Sequence, residues 1–145
     1  MNKLLTLDSL YCNFKEPILN FYSSVHTIFQ NQGILNIVLT DAPFIQAAKR
    51  AMRLKVDPYL SGLIGLVSPP AEKIHPLFRK KNLRFPFPTL ISPTEKPNTP
   101  LQKLLNEITG FELTQKEISE HVIMIGDNYN KDIKLAKIWG LTAYH

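Results

Sequence analysis

A chain of 145 residues, 44% hydrophobic and 20% charged, is long enough for one domain with a buried core and too apolar to be disordered throughout. No apolar run approaches bilayer length, and Met1–Asp8 lacks the apolar stretch and small-residue cleavage site of a signal peptide, so no membrane span or leader is expected. The single cysteine, Cys12, excludes an internal disulfide and suits a cytoplasmic location, while the net charge of +5 leaves an anionic partner open.

Pro17 to Gln32 carries apolar residues at helical spacing (Ile18, Phe21, Tyr22, Val25, Ile28, Phe29) and ends before Gly33, which predicts a helix. Ile34–Thr40 is nearly continuously apolar, the pattern of a parallel strand buried on both faces, and Asp41–Pro43 reads as a turn. The next helix runs Phe44–Leu54, with Phe44, Ala47, Ala48, Ala51 and Met52 inward. Val56–Leu60 is irregular, and Leu63–Val67 is a further strand. Eight of the eleven prolines lie between Pro69 and Pro100, which predicts a long loop across 69–95 holding at most a short helix at Leu77–Lys81 and a short strand at Thr89–Ser92. Leu101–Thr109 has a clear helical stripe, Thr114–Glu117 is a capping-box signature, Val122–Ile125 is a strand, a helix opens near Asp132, and Leu141–Tyr144 is a last strand. Strands alternating with helices predict a single α/β domain over 1–145, Rossmann-like and three-layered around a mainly parallel sheet.

Lys73–Arg84 concentrates the positive charge, and Phe85 and Phe87 beside it could stack on bases. No recognition helix or RNA-binding sheet motif accompanies them, so a solvated loop is the preferred reading and nucleic acid the lesser one. His26, His75, His121 and His145 have no metal-ligand spacing and read as packing or surface residues, and Trp139 and Tyr144 as core or edge packing. Lys103, Lys131, Lys134 and Lys137 read as solvated helix faces.

The chemistry concentrates in Gly126-Asp127-Asn128-Tyr129-Asn130-Lys131-Asp132. Ligands of open α/β sheets bind beyond the carboxyl ends of the strands, and two carboxylates meeting there call for a positive partner. Mg²⁺ suits them, since it takes oxygen ligands and keeps several waters. The plainer alternative makes Asp132 a helix cap and Asp127 a turn residue. Thr40 closes an apolar strand just before Asp41, and Lys96-Pro97 precedes a helix. A strand-end hydroxyl can meet an oxyanion or merely bond its own turn, and a lone Lys-Pro is ordinarily a surface lysine.

Taken in order, the strand ending in Thr40-Asp41, then Lys96-Pro97, then Gly126-Asp127 with Asp132, resemble the motifs of the haloacid dehalogenase-like (HAD) hydrolase superfamily over Glu16–His145. The resemblance implies a Rossmann-like core and Mg²⁺-dependent hydrolysis of a small phosphorylated substrate through an aspartyl-phosphate. It implies phosphate binding by Thr40, Asp41 and Lys96, with Lys96 and Thr40 in catalytic roles. Asp127 becomes the principal Mg²⁺ carboxylate, and Asp132 a second acid acting on the metal directly or through water. The family also has an Asp-x-Asp motif after its first strand, and here only Asp8-Ser9-Leu10 follows an apolar stretch. Leucine can neither shuttle a proton nor bind a cation, so Asp8 is a weak nucleophile candidate. Either the motif has degenerated, or, as preferred, it lies upstream and residues 1–15 are the tail of a cap insertion on a truncated chain. The expected consequences are an incomplete sheet and impaired or absent turnover. Self-association through an exposed sheet edge is also expected, unless residues near Met1 fill the gap. Two rivals stand beside this reading: a noncatalytic phosphate- and metal-binding or interaction module, and a basic nucleic-acid-binding protein. A receiver-type phosphoacceptor is set aside, because its acids would gather at the first strand.

Overall fold

The computed structural model describes residues 4–7, 31–69 and 84–145. Six strands form one sheet: β1 (Leu4–Leu7), β2 (Leu35–Pro43), β3 (Gly62–Leu66), β4 (Thr89–Ser92), β5 (Val122–Ile125) and β6 (Thr142–Tyr144). Their spatial order is β4-β3-β2-β1-β5-β6, and every neighbouring pair is parallel. The helices are α1 (Phe44–Arg53), α2 (Leu101–Thr109), α3 (Gln115–His121) and α4 (Lys134–Trp139).

Parallel sheets are buried on both faces, and the apolar strands divide their side chains accordingly. Ile37, Leu39, Ile64, Val122 and Met124 face Leu101, Leu104 and Leu105 of α2, Ile118 of α3 and Leu135 and Ala136 of α4. Val38 and Leu63 face the other way, onto Ala48 and Ala51 of α1 with Leu54, Val56, Leu60 and Phe87. Alternation along β2 and β3 thus builds two cores, each worth about 1.5–3 kcal/mol per fully buried aliphatic side chain. Gly110 takes a left-handed conformation (φ 73°) and ends α2 as an αL cap. The Thr114–Glu117 capping box forms as expected and opens α3.

Several expectations change. The predicted sheet lacked its central strand, but Leu4–Leu7 fill that place: Leu5 pairs with Asn36 of β2 on one side and Ile123 of β5 on the other. β2 continues through the expected turn to Pro43, with a register shift between Leu39 and Pro43. Met52, expected inward, is exposed, because the inner stripe of α1 closes on Ala48, Ala51 and the following Leu54. Phe85 and Phe87 stack on each other with centroids 6.1 Å apart; Phe87 is buried in the α1-side core and Phe85 packs against it. The helix near Asp132 begins with a π-helical turn, Tyr129–Ile133, before α4. The expected helix Pro17–Gln32 apart from its last two residues, the expected helix Leu77–Lys81, and the basic cluster apart from Arg84 lie outside the described residues.

Candidate functional site

Strands β1 to β4 succeed one another outward in one direction, whereas β5 and β6 lie on the opposite side of β1. The order therefore reverses between β1 and β5, and the crevice beyond their carboxyl ends is where an open α/β sheet binds ligands. Leu7 pairs with Ile125, so both strands end level. Gly126-Asp127 follows Ile125, and Asp8 is the next residue in sequence after Leu7. Asp8 itself lies outside the described residues.

Lys96 is the centre of the rim. Its chain position follows β4, the edge strand, yet its ammonium lies 2.5 Å from Asp132 Oδ1, beyond β5, and donates to the Leu39 carbonyl of β2 at 3.4 Å. Both side chains of the pair are almost wholly buried, at 1% and 0% exposure. Burial pushes the Lys96 ammonium below the ordinary lysine value, against the opposing pull of Asp132 and, more weakly, of Asp127. A buried pair of this kind needs its remaining valences met, and Asp132 Oδ2 accepts from the Asn128 N–H at 3.0 Å. The π-helical turn carries Asp132 back toward the sheet, and Asn128 caps the turn by accepting from the Lys131 N–H. Gly126 is required beside it: any side chain there would collide with the Asp132 carboxylate.

Asp41 ties the rim together. One oxygen accepts from the Lys96 backbone N–H at 3.0 Å, and the other from the Lys131 ammonium at 2.7 Å. Lys131 also reaches Glu95 at 3.5 Å, and its hydrogen bond to the Asp41 carboxylate holds the Lys131 ammonium above the ordinary lysine value. Lys131 was expected on a solvated helix face. Its proximity to Asp41 arises from the π-helical turn, which apolar periodicity does not reveal. Asp41 was expected to bind phosphate; its carboxylate accepts from the Lys96 N–H and the Lys131 ammonium. It is a brace of the site.

The remaining expected residues are placed as follows. Thr40 stands at the same strand end as Leu39 and Asp41, and its Oγ1 accepts from the Ala42 N–H at 3.1 Å, the local turn bond. It also lines a cavity of about 30 Å³ between β2, β3 and α1 with Arg50 and Ala47. Its hydroxyl hydrogen remains a donor. Asp127 is exposed at the rim, and its carbonyl lies 2.9 Å from His145 Nε2. Beside it, Lys137 donates to the Tyr129 hydroxyl at 2.7 Å, which holds that phenol below its ordinary value, and the Tyr129 and His145 rings meet edge to face. Trp139 packs against the α2-side core, as expected.

Among the described residues no group of three metal-ligating side chains converges. Asp132 is committed to Lys96 and to Asn128, which leaves Asp127 as the exposed acid of the motif. Such a rim suits a hydrated hard cation that takes one or two carboxylates and completes its shell with waters and ligand oxygens. Among the described residues, Lys96 pairs with Asp132, and Lys131 is shared between Asp41 and Glu95. Among the described residues no helix is long and apolar enough to cross a membrane. Comparison with family models, with curated proteins and with solved structures found no match for this chain.

Proposed function

We propose that this chain is a Rossmann-like domain of haloacid dehalogenase type whose rim binds a phosphate group together with Mg²⁺. The observation that supports the reading best is the buried Lys96–Asp132 pair. A lysine drawn across the sheet into a desolvated position at the crevice mouth is costly as a purely structural device. It is useful where negative oxygens must be held together in a low-dielectric site.

In this reading Lys96 neutralises phosphate oxygens, Asp132 fixes its orientation and charge, and the Thr40 hydroxyl donates to the phosphate from the end of β2. Asp127, with waters and phosphate oxygens, would hold the Mg²⁺, which supplies charge neutralisation at the phosphate. Asp8 is the residue that follows the central strand in sequence, as the family's nucleophile does, and it is the carboxylate this reading assigns to attack on phosphorus. Leu10 two residues on cannot hold the leaving-group proton, so turnover is expected to be slow or absent. That substitution favours a second reading, a noncatalytic phosphate and metal module using the same rim.

Thermal unfolding with Mg²⁺ and inorganic phosphate, separately and together, alongside p-nitrophenyl phosphate hydrolysis, tests both. Joint stabilisation exceeding either ligand alone is expected. Hydrolysis abolished in Asp8→Asn identifies the enzyme, and stabilisation without hydrolysis identifies the module. No response to either ligand refutes both.

A further inference from the structure

The position of Lys96 poses a mechanical problem. Lys96 follows the edge strand β4, yet its N–H bonds Asp41 of β2 and its ammonium reaches the Leu39 carbonyl of β2 and Asp132 after β5, so the chain crosses over β3, about 10 Å at the usual strand spacing. The loop that makes this crossing contains Pro93, Pro97 and Pro100 and is not part of the sheet's ladder. Something at the rim must hold it. The Lys96 N–H is anchored by Asp41 Oδ1, and Asp41 Oδ2 is held in turn by Lys131, which also reaches Glu95 of the same loop. Lys131 and Asp132 are consecutive residues of one π-helical turn. That turn therefore grips the Lys96 segment twice, through Asp132 at the side-chain ammonium and through Lys131 and Asp41 at the backbone.

We propose that Lys131 and Asp41 are a positioning pair, which latches the loop after β4 across the sheet and thereby delivers the Lys96 ammonium to the phosphate site. The role of the delivered ammonium rests on the function proposed above, whereas the latch itself is readable without it. Lys131 touches no reacting atom in this assignment. Its side chain is 38% exposed and shared between two carboxylates, and an ion pair so placed contributes little to global stability. Its effect is local, on where one buried lysine sits. Asp41 holds the backbone amide and the ammonium with different oxygens, so a residue that keeps only one of these bonds should loosen the loop only partly.

The test combines two readouts on the whole chain: reductive methylation of lysines mapped by mass spectrometry, and affinity for inorganic phosphate in Mg²⁺ by calorimetry. In the wild type, Lys96 should resist methylation while the exposed Lys103 reacts. In Lys131→Met, Lys96 should become reactive and phosphate affinity should fall about tenfold, with backbone amides of α2 still protected from hydrogen exchange. Lys131→Arg should restore both, and Asp41→Asn should show an intermediate loss. Lys96 remaining protected in Lys131→Met with phosphate affinity unchanged overturns the proposal. So does loss of α2 protection together with Lys96 protection in both variants, because that reduces the pair to general stabilisation. A wild type that binds no phosphate refutes the function proposed above, yet the methylation comparison still decides whether the latch exists.

Discussion

Lys96 and Asp132 decide the chemistry at the scale of single residues. Their pair is buried, so removing one charge strands the other. Lys96→Met is expected to destabilise the fold by about 3–5 kcal/mol in urea unfolding, and the double variant Lys96→Met/Asp132→Leu to recover most of that loss. Additive losses would show that the two charges do not act as a pair. Gly126 belongs to the same unit, since it leaves room for the Asp132 carboxylate. Gly126→Ala should cost about 1–3 kcal/mol and displace that carboxylate; unchanged stability would mean the neighbourhood yields without strain. At this scale the sequence was only partly legible. Gly126, Asp127 and Asp132 could be singled out because a strand, a turn and a helix start mark their places, and Lys96 only through the order of the motifs around it. Lys131 and the bracing role of Asp41 could not, because they meet across 90 positions of chain through a turn whose π-helical winding leaves no apolar signature.

Secondary-structure elements were easier to read where a local signal acts alone. Leu101–Thr109 emerges with its predicted bounds because an apolar stripe, a preceding proline and a following glycine all agree. The capping box of α3 is likewise local, and it carries a pH dependence of known sign. Bonds from the Thr114 N–H and hydroxyl hold the Glu117 carboxyl below its ordinary value. The folded state thus favours the ionised form, so the stabilisation is present above the ordinary glutamate range, about pH 4, and fades as pH falls through the folded value. Thr114→Ala should cost about 0.5–2 kcal/mol at neutral pH, and the gap between wild type and variant should narrow on acidification. A gap constant from pH 7 to pH 3 would contradict the capping role of the ionised acid. Strand β1 was the element that sequence reasoning missed. It is only four residues long and interrupted by Thr6, and its place is fixed by partners remote in sequence, Leu35–Ile37 and Val122–Ile125.

Seen as a whole molecule, the sheet is organised around that short strand. β1 separates the two directions of winding and sets the crevice between its own end and that of β5. The premise behind the expected self-association, an unfilled central position, is not met. Leu5→Pro would delete a ladder hydrogen bond in the middle of the sheet, and a loss of about 3 kcal/mol or more is expected, with broadened or absent cooperative unfolding. Wild-type stability in that variant would mean the first residues are dispensable and the crevice is built otherwise. The α/β class and the order of most elements were legible because alternating apolar segments leave few arrangements of a parallel sheet. The joining of three rim segments was not, because it depends on how far one loop travels over the sheet.

The most direct test of the site is titration calorimetry of inorganic phosphate with and without Mg²⁺, on the wild type and on Asp127→Asn and Lys96→Met. Phosphate should bind the wild type more tightly in Mg²⁺, Asp127→Asn should lose that enhancement while staying folded, and Lys96→Met should lose phosphate binding itself. Equal binding by all three proteins, or none by the wild type under either condition, would contradict a rim that holds a phosphate and a divalent cation side by side.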